Sequence, residues 1–206
     1  MNGHFTWYLA RATGLTSWIL VTASVAWGLV LSTRVSRTAR PAWLLDLHRF
    51  LGLLSVVFVG VHLGALAADS YTHWGPADLL VPLASAWKPG PVAWGVVALY
   101  VLLAVEVTSL LFSRIPRRFW RTVHASSYGL FVLATIHGVL AGTDAANPLV
   151  EWGALLGSVG VVYLTAIRAI AGRFSPRTAP RRAASAAGAP RPAPAATGIE
   201  TRAARP

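Results

Sequence analysis

Five apolar runs, each close to twenty residues long, constrain this chain more than any other feature of its 206 residues. A helix rises about 1.5 Å per residue, so a run of that length crosses a hydrocarbon core of roughly 30 Å, and a soluble core has no need of five. The runs fall at Thr13 to Leu31, Trp43 to Ala67, Pro91 to Phe112, Phe119 to Ala141 and Leu149 to Ala171. The expected fold is an all-α, polytopic membrane helix bundle with about five transmembrane helices. Composition agrees: 55% of the residues are hydrophobic and 12% are charged, and the mean hydropathy is +0.56.

The first run has the length of a secretory signal. Its flank MNGHFTWYLAR has no basic segment, however, and no small-residue cleavage site precedes LSTRVSRTAR, so a retained helix is expected. Basic residues set the orientation. Arg34, Arg37 and Arg40 follow the first run, Arg114, Arg117, Arg118 and Arg121 follow the third, and arginines recur from Arg173 onward. The other side carries Arg11, Lys88 and Asp144. Positive loops stay in the cytoplasm, which puts the N-terminus outside and the C-terminus inside a bacterial-type plasma membrane. Trp7, Trp43, Trp74, Trp87, Trp94, Trp120 and Trp152 fall near the run ends, as interfacial indoles do. Topology thus accounts for much of the net charge of +11, and no nucleic-acid partner is implied. Residues 1–173 form the expected membrane domain. Residues 174–206, rich in Ala, Pro and Arg, cannot bury a core and are expected to be a disordered cytoplasmic tail.

Four histidines lie within the apolar runs. His48 and His62 are 14 residues apart in the second, and His124 and His137 are 13 apart in the fourth. An imidazole in a bilayer is costly to desolvate and tends to be kept where it has a partner. Isolated, each suits interhelical hydrogen bonding or contact with water. Two pairs at matched depths point to a shared ligand, and heme suits them best, each iron taking one axial imidazole from each of two helices. Spans two and four run parallel, so His48 can meet His124 near the cytoplasmic face and His62 can meet His137 near the outer face, about 20 Å away. The absence of cysteine excludes Fe–S clusters, disulfides and thiol catalysis by this chain.

Helical phase supports one pair better than the other. Fourteen residues at roughly 100° each end about 40° short of four turns, so His48 and His62 share a face. Thirteen residues leave His124 and His137 about 140° out of phase on a straight helix. Ser126, Ser127, Tyr128 and Gly129 lie between them and favour overwinding or a bend. Two hemes are expected, with one heme as the alternative.

Other polar residues take supporting readings. Arg49 and Arg121 suit either the carboxylates of the inner heme or interfacial snorkelling. Asp46, three residues before Arg49, suits a local ion pair. Glu106 is the one carboxylate well inside a run and reads as a support or quinone-site group. The segment YTHWGPADLLVPLASAWKPGP, with Tyr71, His73, Trp74, Asp78 and Lys88, suits either a cover for the outer heme or an ordinary interfacial loop. Gly153 and Gly157 have the spacing of close helix packing. His4 and His73, in flanking segments, read as surface residues.

The segments WLLDLHRFLGLLSVVFVGVHLGAL and FWRTVHASSYGLFVLATIHGVL resemble the ferric reductase-like transmembrane domain family, the membrane core of ferric reductases and NADPH oxidases. The resemblance covers most of residues 7–171 and includes the 14 and 13 spacings. It implies that His48, His62, His124 and His137 are axial ligands of b-type heme iron. Its larger members continue into flavin and nicotinamide domains, whereas the segment after Phe174 has no Gly-rich dinucleotide fingerprint. The resemblance therefore implies an oxidoreductase subunit without flavin or NAD(P)H domains of its own, similar to standalone heme subunits. Electrons would come from a cytoplasmic flavin reductase or membrane quinol. They would leave to an extracytoplasmic FMN protein, sulfoxide reductase or ferric iron, with membrane lipid as the surrounding partner. The competing reading is a nonredox scaffold or transporter whose histidines bind a metal or line a polar path.

Overall fold

The structure, a computed structural model, describes residues 3–33, 41–70, 73–144 and 147–173. Its helices are α1 (Gly3–Ser32), α2 (Ala42–Ala67), α3 (Pro76–Leu80), α4 (Pro89–Leu110), α5 (Arg117–Ala125), α6 (Ser127–Ala141) and α7 (Pro148–Arg173). No strand occurs among the described residues. In a bilayer a helix satisfies its backbone polar groups within its own segment, and among the described residues five spans are long and apolar enough to cross one: α1, α2, α4, α5 with α6, and α7. This is a multi-pass, all-helical membrane protein. Arg34, Arg37, Arg40, Tyr71 and the tail from residue 174 lie outside the described residues.

Two helix boundaries differ from the apolar runs. Helix α1 starts ten residues before Thr13, because its first turns are tied to distant polar partners. Thr6 Oγ1 donates to Asp69 Oδ1 at 2.9 Å, and Arg11 Nε donates to Asp144 Oδ2 at 2.7 Å. Helix α4 starts two residues before Pro91, with Lys88 in a left-handed conformation (φ 43°) and Pro89 in the first turn. A first-turn proline gives up an N–H that would have no helical partner.

The fourth span is interrupted where the phase mismatch required it. Ser126 separates α5 from α6 with φ −66° and ψ −8°. Its N–H donates to the Val123 carbonyl at 3.0 Å and its hydroxyl to the same oxygen at 2.6 Å. A serine bonding back to its own helix draws the turn tighter and alters the phase of the next helix.

The bundle consists of two antiparallel pairs, α1 with α2 and α4 with α6, and α7 packs on α1. Val21, Val25 and Leu29 of α1, Ala98 and Leu102 of α4, Leu130 and Phe131 of α6 and Val161 of α7 form the buried core between them. Trp18 Nε1 donates to Thr135 Oγ1 at 2.9 Å, joining α1 to α6 across it. Gly157 lets α7 approach, since a Cβ there would meet Trp18 and Thr22 at 3.1 and 3.3 Å, while Gly153 faces open space. On α2, Phe50, Leu53, Val57 and Val61 form an exposed apolar stripe at helical spacing, opposite buried Gly52 and Ser55. An apolar face turned outward at that spacing is what lipid requires.

Candidate functional site

With one span between them, α2 and the fourth span, α5 with α6, run parallel and place their histidines at two levels: His48 and His62 on α2, His124 on α5 and His137 on α6. His48 and His124 have ring centroids 6.0 Å apart and planes at 78°. Metal–nitrogen bonds are about 2 Å, so two imidazoles on opposite sides of one metal ion have centroids roughly 6 Å apart. His62 and His137 lie about 20 Å further along the same two spans, at 1.5 Å per residue. Both line a cavity of about 550 Å³, walled by apolar side chains such as Leu63, Val92 and Leu99. Among the described residues, no third His, Asp or Glu joins either pair.

Each imidazole is held from the neighbouring helix. His62 Nδ1 donates to the Ala10 carbonyl at 2.7 Å, His48 Nδ1 to the Ser24 carbonyl at 3.1 Å, and His137 Nδ1 to the Pro91 carbonyl at 2.9 Å. A carbonyl only accepts, so Nδ1 carries the proton in these three rings and Nε2 presents its lone pair. Orienting an imidazole through its other nitrogen is how proteins fix a metal-ligating histidine.

The same three contacts explain three glycines. Gly14, Gly28 and Gly95 each stand four residues after the carbonyl that accepts from histidine. A Cβ on Gly14 would be 3.1 Å from His62 Cε1, on Gly28 3.1 Å from His48 Cε1, and on Gly95 2.6 Å from His137 Cε1. Without a side chain, each lets the ring lie on the helix surface and reach the carbonyl one turn earlier. The fourth position departs from this pattern. Ser109, 14 residues after Gly95, stands against His124, and its Oγ lies 3.4 Å from His124 Nδ1. The sequence reading missed these residues, although their spacing carried a signal: Gly14 to Gly28 and Gly95 to Ser109 both repeat the 14-residue interval of His48 to His62.

Further residues flank the two levels. At the His48–His124 level, Trp120 stacks on His124 with centroids 4.8 Å apart. Arg49 and Arg121 are exposed in the second turns of α2 and α5, and Arg49 lies 3.6 Å from Asp46. Glu106, one turn before Ser109, packs its carboxylate over Gly52 of α2. At the other level, the segment between α2 and α4 covers the cavity, contributing Trp74, Asp78, Leu79 and Trp87. Trp74 packs edge-on against Trp87 with centroids 6.0 Å apart. His73 precedes it in a left-handed conformation, φ 50°. The His4 side chain lies outside the described residues.

The family model described as "ferric reductase like transmembrane component" matches residues 13–135, more than half of the chain. The chain belongs to this family. Matched residues include His48, His62 and His124, and the match ends two residues before His137. No curated protein and no solved structure matches the chain. Membership carries a membrane redox role in a family generally associated with heme.

The residues present fit that group. The 6.0 Å separation of the His48 and His124 rings suits axial ligands of one iron. The 550 Å³ cavity beside His62 and His137 is within the usual range for a cofactor pocket, roughly 300–1,000 Å³. Trp74 Nε1 is buried without a hydrogen-bond partner and belongs to a residue lining that cavity. A buried N–H left without an acceptor costs free energy, and a carboxylate at the edge of a bound heme would satisfy it.

Proposed function

We propose that this protein is the heme-binding subunit of a membrane oxidoreductase, carrying single electrons across the cell membrane through two bis-histidine b-type heme sites. His48 with His124 forms the cytoplasmic site and His62 with His137 the outer one. The observation that carries this reading is the shared anchoring of the four rings: each has Nδ1 engaged from a neighbouring helix, leaving Nε2 for iron. Heme, when bound, supplies a one-electron ferric/ferrous couple.

The chain's own residues hold and orient the two sites. The carbonyls of Ala10, Ser24 and Pro91 fix three imidazoles, and the facing glycines let them approach. Arg49 and Arg121 serve the heme carboxylates at the cytoplasmic level, where guanidinium geometry suits them. Arg114, Arg117, Arg118 and Arg121 cluster at that end, and positive residues favour the cytoplasmic side, so the C-terminus is assigned inside. Electrons then enter from a cytoplasmic flavin reductase or membrane quinol and leave to an extracytoplasmic FMN protein, sulfoxide reductase or ferric iron. A potential negative inside favours this direction by roughly 2.3 kcal/mol per electron per 100 mV.

The test uses purified protein and then oriented vesicles. A reducible b-type Soret and alpha-band spectrum is expected. Reduced flavin on the cytoplasmic face is expected to reduce a membrane-impermeant acceptor on the other. No such spectrum after heme supplementation would favour a nonredox scaffold or transporter. Reduction confined to the donor's own side, with both sites filled, would end the transmembrane reading.

A further inference from the structure

Four positions in this protein perform one task, and one of them performs it differently. At three of them a glycine leaves the helix surface bare, and the histidine opposite donates to the carbonyl four residues before that glycine: Ala10 and Gly14 for His62, Ser24 and Gly28 for His48, Pro91 and Gly95 for His137. By the same geometry the fourth pair is Val105 and Ser109, facing His124. Here the carbonyl is already taken, because Ser109 Oγ donates to the Val105 carbonyl at 2.7 Å.

A serine hydroxyl has one proton, so with that proton committed to Val105 its oxygen can only accept. Two donors face it at 3.4 Å: His124 Nδ1, and Nε1 of Trp120, whose ring stacks on the same histidine. Both distances are near the outer limit for a hydrogen bond. His124 is therefore held by a long contact to a shared hydroxyl oxygen alone, whereas the other three rings donate to carbonyls at 2.7 to 3.1 Å, His48 with the Ser24 hydroxyl also 3.3 Å from its Nδ1.

We infer that Ser109 is a positioning residue that keeps His124 a weaker electron donor than the other three ligands, and so raises the reduction potential of the His48–His124 level. The inference rests on the heme reading above. An acceptor on Nδ1–H increases the basicity of a metal-bound imidazole, and a more basic ligand stabilises ferric over ferrous iron. The shared Ser109 hydroxyl provides less of this than a carbonyl would. With electrons entering at this level, the effect makes the entry site easier to reduce.

The experiment is a redox titration of the purified full chain, followed in the alpha band and resolved into two components. The component lost in His124→Ala is assigned to the His48–His124 level. Ser109→Gly opens the helix surface and removes the closest side-chain donor from the Val105 carbonyl, which can then accept from His124; Thr108 Oγ1, 3.1 Å from the same oxygen, keeps its shorter bond to the Ala104 carbonyl at 2.7 Å. Its component is expected at lower potential, by roughly fivefold to tenfold in the reduction equilibrium constant, tenfold being 59 mV for one electron. Ser109→Ala removes the hydroxyl while its methyl still blocks the carbonyl, and the shift is expected to be upward. Ser109→Thr keeps the hydroxyl and should remain within about twofold of wild type. Opposite shifts in the Gly and Ala variants, with the His62–His137 component unmoved, support the inference, because loosened packing alone gives no such reversal of sign. Shifts of the same sign, or no shift with heme content unchanged, overturn it and leave the heme reading standing. A wild-type protein without heme overturns the heme reading itself.

Discussion

His137 lies so close over Gly95 that a Cβ on the glycine would stand 2.6 Å from the ring's Cε1 and 2.7 Å from its Nδ1. Real side chains do not approach so closely, so Gly95→Ala has to move the ring and with it the Nδ1–H bond to Pro91. The variant is expected to lose heme from the His62–His137 level and keep it at the other. Alanine at a helical glycine favours the helix by about 1 kcal/mol, so the loss would not come from unwinding. Gly14→Ala and Gly28→Ala, at 3.1 Å, are expected to weaken retention of heme without abolishing it. Heme content and a redox titration of each variant test this ranking, and equal effects at all three positions would contradict it.

The two histidine levels are expected to empty separately. His48→Ala or His124→Ala should each remove one heme of about two per chain, and His62→Ala or His137→Ala the other, because in the proposed arrangement each iron would take one imidazole from α2 and one from the fourth span. Spectra of the single variants, compared with the double variants within a level, provide the measurement. Loss of both hemes on mutation of any one histidine would show that the sites do not fold independently.

Glu106 and Gly52 form the closest contact between α4 and α2 at glycine positions, with Glu106 Cδ 3.1 Å from where a Gly52 Cβ would stand and Oε1 nearer still. Overpacking a fitted interface costs typically 1–3 kcal/mol, so Gly52→Ala is expected to destabilise the bundle by about that amount. Glu106→Ala in the same chain should restore most of the loss by making room. Thermal unfolding of the two single variants and the double variant in detergent gives the coupling, and additive effects would refute the contact as a packing constraint.

Trp74→Phe removes the buried indole N–H and keeps an aromatic ring against Trp87. If that N–H donates to a heme carboxylate, heme at the His62–His137 level should transfer to apomyoglobin roughly tenfold faster in the variant, the scale of one hydrogen bond to a charged group. Reconstitution with heme dimethyl ester, which lacks the charged carboxylates, should bring the two proteins together. A difference that persists with the ester would assign the effect to packing.

The sequence by itself determined the number of spans and the pairing of the histidines, since bilayer thickness sets run length and helical periodicity is a local property. It also located the irregularity in the fourth span: 13 residues do not return to one face, and the chain breaks its helix at Ser126, within the segment where serine and glycine allow it. Tertiary structure decided what holds the histidines. Gly14, Gly28 and Gly95 have no side-chain chemistry to draw attention, and their 14-residue interval acquires meaning only when α1 lies antiparallel to α2 and α4 to α6, bringing each glycine against an imidazole. The length of α1 was likewise set by partners remote in sequence, Thr6 with Asp69 and Arg11 with Asp144. Ser109 reads as an ordinary intrahelical serine until packing places His124 and Trp120 against its hydroxyl, because hydrogen bonding between helices depends on proximity that local sequence does not encode.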